Sequence, residues 1–129
     1  MIETGMVNEK TVQVTRENTA EVMGSGTLPV FATPAMILLI EQTASECVAA
    51  HLHDGESSVG TLLNVKHVAP SIVGSEVRCR VELKEIDRSR LIFNVNVRDQ
   101  TDEIGFGIHE RFIVKAEKFM MKAKDRTFS

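Results

Sequence analysis

Between Leu28 and Ile40 the chain carries no charge, and from Ala35 to Ile40 it is apolar without a break. Thr33-Pro34 stands just ahead of that block. Threonine is a favoured N-cap and proline is favoured at the first helical position, so the pair predicts a helix from Pro34 to about Leu52. His53-Asp54-Gly55 ends it. A helix that is apolar all round must be buried on most sides. The rest of the chain therefore has to wrap it.

The residues after Gly55 supply the wrapping. Their pattern changes to period two, the mark of strands with one wet face. Ser58 to Ala69 reads as one strand, followed by a turn or bulge at Pro70-Ser71-Ile72-Val73-Gly74. Val77, Cys79, Val81 and Leu83 alternate with Arg78, Arg80, Glu82 and Lys84 in a second strand. A third runs from Leu91 to Asp99, and a long fourth from Glu103 to about Met121. Ahead of the helix, Glu9 to Val14 reads as a short strand and Thr15 to Met23 as one or two helical turns. Gly24-Ser25-Gly26-Thr27 is a flexible stretch. Four consecutive antiparallel strands after a buried helix predict an α+β fold, a curved sheet around one long helix. The 129 residues suit a single domain, residues 1–129.

Composition narrows the function classes. Net charge is −3, the pI is near 5.8 and no long basic run stands out, which argues against nucleic acid as a partner. The apolar run is too short to span a bilayer, so no membrane association is expected. Met1-Ile2-Glu3-Thr4-Gly5 has neither a basic region nor a signal core, which makes a cytoplasmic location the expectation. Cys47 and Cys79 form no metal-ligand spacing and read as small buried residues. No metal and no separate cofactor are expected.

Three residues interrupt the apolar pattern with chemistry. Thr33 has a bland role available, as the cap that accepts a backbone N–H near Met36 and stabilises the helix by roughly 1 kcal/mol. An N-cap hydroxyl also lies beside free helix-start amides, here those of Ala35 and Met36, which could stabilise an oxyanion. Glu41 is the only charge between Thr33 and Glu46. Buried without a partner it would be costly, so it is either half of a structural pair or a general base or nucleophile. His67 shares strand parity with Val59, Leu63 and Val65 and is either a satisfied core histidine or a general acid–base. His51, His53 and His109 are weaker candidates.

Val30-Phe31-Ala32-Thr33, Glu41 eight residues on, Gly60-Thr61, and His67 twenty-six after Glu41 resemble the fluoroacetyl-CoA thioesterase family of the hot-dog fold. Gly107-Ile108-His109-Glu110-Arg111-Phe112 resembles that family's last strand. The resemblance implies a thioester hydrolase with Thr33, Glu41 and His67 as its catalytic set. Gly60, with Phe31, Ala35 and Met36, would contact the acyl substrate. The expected reaction takes a short-chain acyl-CoA to the free acid and CoA, the coenzyme entering only as part of the substrate. Arg78, Arg80 and Arg88 are available for its phosphates. The family's fluoroacetate-specific member has an aromatic gate before the threonine. Here Gly24-Ser25-Gly26-Thr27-Leu28 lacks aromatics, which puts fluoroacetyl specificity in question. The competing readings are a non-catalytic acyl-CoA-binding protein and, further off, a hot-dog dehydratase.

Spacing adds an expectation about assembly. Thr33 and Glu41 are about 12 Å apart along a helix axis. Gly60 and His67 are about 23 Å apart along an extended strand. The first pair either serves different ends of one site or meets across a dimer interface, and one chain cannot bring Gly60 and His67 to one small acyl group. Two copies of Ser58–Ala69, paired antiparallel about an axis near Leu63 and Asn64, could. A homodimer with interface sites is expected, with higher oligomers possible.

Overall fold

The computed structural model describes residues 1–128. Five antiparallel strands form one sheet: β1 (Val7–Gln13), β2 (Glu56–His67), β3 (Glu76–Asp87), β4 (Arg90–Arg98) and β5 (Glu103–Lys115). Their order across the sheet is β1-β3-β4-β5-β2, so the first two strands in sequence are the two edges. Helix α1 (Ala20–Met23) is a single turn, capped by the Thr19 hydroxyl, and α2 (Thr33–Ala49) is the long helix the sheet curves around. The expected α+β architecture is present.

Two elements depart from expectation. The fourth predicted strand ends at Lys115, and Ala116–Phe128 forms a third helix, α3. The strand pattern stops there because Ala116-Glu117-Lys118 are helix formers that do not alternate. The second departure is in α2, which buries one stripe rather than most sides. Ala35, Met36, Leu39, Ile40, Thr43, Ala44, Cys47 and Val48 face the sheet. Ile37 is half-buried and Leu38 is 54% exposed. Each large apolar side chain on the stripe contributes about 1.5–3 kcal/mol of burial free energy before entropy is subtracted. The stripe meets Val77, Cys79, Val81, Leu83, Leu91, Phe93 and Ile104 in one core. Helix and sheet pack tightly at Gly105, where a Cβ would lie 2.7 Å from the Met36 sulfur.

Strand β2 breaks its own period. Gly60 pairs with Arg111, but Leu62 pairs with Glu110, so Thr61 is the extra residue of a β-bulge. The bulge shifts face assignment. Leu63, Val65 and His67 point to the helix side, as Gly60 and Ser58 do, while Val59 pairs with Phe112 on the far side. The expected shared parity of Val59 with His67 is therefore corrected. Two residues seven apart, Gly60 and His67, share a face only because of the bulge.

Candidate active site

The segment before α2 and the segment after β2 are stitched together. The Phe31 amide donates to the Ser71 carbonyl at 2.8 Å, and Val30 bridges Ile72. On the other side, the Ala32 amide donates to Asn18 and the Ala20 amide to Val30. This clamp fixes the start of α2 against the end of β2. It brings Thr33 Oγ1 to 2.8 Å from His67 Nδ1.

Thr33 is not the helix cap. Ala32 holds that position with no side-chain bond, and Thr33 is already helical. The hydroxyl expected to cap the helix is given to the imidazole instead. The Met36 amide is likewise not a free donor, because it closes on the Ala32 carbonyl at 3.0 Å. Thr33 and Ala35 are left with first-turn amides that have no backbone partner. The Met36 and Ala35 side chains are buried, Met36 against Gly105, and neither lines the cavity beside Thr33.

His67 is half-buried, with the edge of its ring toward Phe31 at 6.4 Å between centroids. Burial pushes it below the ordinary histidine value of 6.5, and the Ala69 backbone offsets part of the shift. Its Nε2 is buried and makes no hydrogen bond. Thr33, His67 and Phe31 line a cavity of about 310 Å³ together with Ala20, Ser25, Val30, Val68, Ala69 and Pro70. A larger cavity of about 550 Å³, between the His53–Glu56 turn and α3, contains no comparable hydroxyl–imidazole pair.

Glu41 lies elsewhere, over β2 and β5. Its carboxylate is 40% exposed and meets Arg111 Nη1 at 3.3 Å. Gly60 sits directly beneath: a Cβ there would collide with Glu41 Oε2 and approach Arg111 Nη1 to 3.3 Å. The structural partner open to Glu41 is thus an arginine rather than a lysine or the backbone. Arg111 is 7% exposed, donating Nε to Ser58 Oγ and Nη2 to the Ser58 carbonyl, both at 2.9 Å. Sequence reasoning did not single it out. The signal was a cation sharing strand parity with Ile113, an apolar residue.

One chain therefore holds two separate polar clusters, Thr33–His67 and Glu41–Gly60–Arg111, on the same face of β2. Cys47 and Cys79 are buried thiols, the latter pushed up to about 11 by burial, and neither lines the cavity beside Thr33. Arg80 and Arg88 are engaged with surface carboxylates. Among the described residues, no group of three His, Cys, Asp or Glu side chains could hold a metal ion, and no helix is long and apolar enough to cross a membrane.

Known proteins share this fold. A family model described as fluoroacetyl-CoA-specific thioesterase matches residues 14–117. A fluoroacetyl-CoA thioesterase of Streptantibioticus cattleyicolor is 39% identical over 98 residues, 76% of this chain and 70% of that protein. A solved structure of a fluoroacetyl-CoA thioesterase superposes with a TM-score of 0.92 at 32% identity, covering 98% of each chain. A hot-dog-like protein from Thermanaerovibrio acidaminovorans superposes at 0.91 over 99% of this chain and 95% of its own, at 20% identity. The fold is the hot-dog fold.

Proposed function

This chain belongs to the fluoroacetyl-CoA-specific thioesterase family, and from that premise we propose how its two polar clusters act. It is a thioester hydrolase that cleaves an acyl-CoA to the acid and free CoA. We read it as a homodimer in which β2 pairs antiparallel with its own copy. In support, β2 is a twelve-residue edge strand with one side unpaired, the kind of edge that recruits another strand. Pairing about Leu63 and Asn64 sets His67 of one subunit level with Gly60 of the other. Because the bulge puts both on the helix side, the Thr33–His67 pair then faces the other copy's Glu41, Gly60 and Arg111.

The observation that carries the reading is the 2.8 Å contact between Thr33 Oγ1 and His67 Nδ1 in a cavity lined by Phe31. A nucleophile and base in hydrogen-bond reach are the minimum for acyl transfer. His67, held neutral by burial, accepts the Thr33 proton at Nδ1. The same Nδ1 can then return the proton to the departing sulfur, since Nε2 is buried. The Ala35 amide at the start of α2 adds a donor for the oxyanion. Over the full cycle one water supplies the oxygen that the carbonyl carbon gains, the C–S bond breaks, and the thiolate takes the proton held by His67.

The test is release of free thiol from a panel of short acyl-CoAs, with rapid quenching and intact-mass measurement. Acylated Thr33 or Glu41 would identify a covalent route, and turnover without an adduct would identify water. Binding with no thiol release would leave an acyl-CoA-binding protein in place of the enzyme.

A further inference from the structure

His109 is fully buried in β5, stacked on Phe93 with centroids 6.3 Å apart, and the reaction outlined above does not use it. Its ring nitrogens face two groups of opposite kind. Nδ1 lies 2.9 Å from the Leu62 carbonyl, which can only accept. Nε2 lies 3.3 Å from Arg111 Nη1, which can only donate. One protonation state satisfies both contacts: neutral imidazole, with its proton on Nδ1 and a lone pair on Nε2.

The Arg111 side chain has one corner left to direct. Nε and Nη2 are anchored on Ser58, while Nη1 is shared between Glu41 Oε2 and His109 Nε2, each at 3.3 Å. Leu62, whose carbonyl orients the ring, is the first paired residue past the bulge. The bulge, the imidazole, the guanidinium and the carboxylate thus form one chain of hydrogen bonds ending above Gly60.

We propose that His109 is a positioning residue for hydrolysis, holding the Arg111 guanidinium, and through it the Glu41 carboxylate, above the bare Cα of Gly60. This rests on the role given to Glu41 in the preceding section. The neutral state it requires agrees with its surroundings. Burial lowers His109 below 6.5 and Arg111 pushes the same way, against the Leu62 carbonyl and the Glu41 and Glu110 carboxylates. An imidazolium would set donor against donor and cation against cation at Arg111.

Steady-state thiol release from an accepted acyl-CoA tests it. His109→Phe keeps a ring on Phe93 and removes both contacts. It should lower kcat by about 10- to 100-fold with little change in KM, the scale expected when a reacting group is misplaced. His109→Gln can offer an amide oxygen to Arg111 and should recover most of the loss. In an Arg111→Lys background His109→Phe should change kcat by less than about 2-fold, because coupled residues do not add. Wild-type kcat in folded His109→Phe overturns the proposal. So does an equal loss in both backgrounds, or a glutamine variant no better than phenylalanine. If the phenylalanine variant does not fold, His109→Asn replaces it: it can still donate to Leu62, cannot reach Arg111, and must show the same loss. Should the wild-type protein release no thiol from any acyl-CoA, the functional reading itself fails. The lock is then read by NMR as a slowly exchanging Arg111 guanidinium signal, lost in His109→Phe, and a signal unchanged in the variant overturns it.

Discussion

At the scale of single residues, Thr33 is where function displaces structure. Its hydroxyl bonds to His67 rather than capping α2, and the residue is exposed. Thr33→Ala should therefore slow turnover by about 10²-fold, the scale of a lost acid–base partner, and leave the melting temperature almost unchanged. Thr33→Ser should keep activity. Full turnover with a lowered melting temperature would return Thr33 to the capping role. His67 sets the pH dependence. Burial holds it below 6.5, so kcat/KM should be level near neutrality and fall along an acid limb with its midpoint below 6.5. Stability moves in the same direction. The unfolded chain takes up the proton near 6.5 and the folded chain resists it, so this stability is complete above 6.5 and is lost as pH falls through the lowered value. His109 shifts the same way and adds to the loss. A melting temperature that rises on acidification from pH 6.5 would contradict both. Thr33, Glu41 and His67 were legible in the sequence because each breaks an apolar pattern. Arg111 was not, because its surroundings are assembled from β2, β5 and α2, and only Glu41 of that group stands out alone.

At the scale of elements, β2 and the segment before α2 supply much of the candidate site. Gly60 has no room for a side chain under Glu41, but the group it would strike is the end of a flexible, partly exposed side chain. Gly60→Ala should fold with a melting temperature within a few degrees of the parent. Its turnover should drop by about 10-fold or more as the carboxylate is displaced. Comparing kcat with the melting curve checks this, and a loss of stability without loss of rate would refute it. The segment Gly24–Thr27 contributes Ser25 to the cavity and no aromatic ring. Only a modest preference for fluoroacetyl-CoA over acetyl-CoA is expected in kcat/KM, and a large one would mean that another element closes the cavity. The long helix and the strands themselves were legible from hydrophobic period; the sheet order was not, because nothing in the period says that β2 pairs with β5 rather than with the β3 that follows it. The bulge at Thr61 was not, because Gly60-Thr61-Leu62-Leu63 offers no polar mark to count from. Helix α3 was merged into β5 because its first residues follow a strand with no breaker between them.

At the scale of the whole molecule, the proposed shared site would make activity a property of pairs. Thr33→Ala and Glu41→Gln should each be nearly inactive alone. Mixed in equal amounts and allowed to exchange, half the dimers are hybrids, and each hybrid has one site with both halves intact. Turnover should return to about a quarter of the wild-type value, as twofold symmetry requires. A mixture no more active than its parts, or a monomer in sedimentation at micromolar concentration, would refute the shared site. The bulge gives this arrangement an unequal tolerance to genetic change. Replacing Thr61 leaves every neighbour on its own side of the sheet. Deleting it preserves every candidate catalytic side chain in the gene, yet turns one half of β2 over relative to the other. Gly60 and His67 would then lie on opposite sides of the sheet, so in this strand the count of residues is under stricter selection than the identity of the one that makes the count.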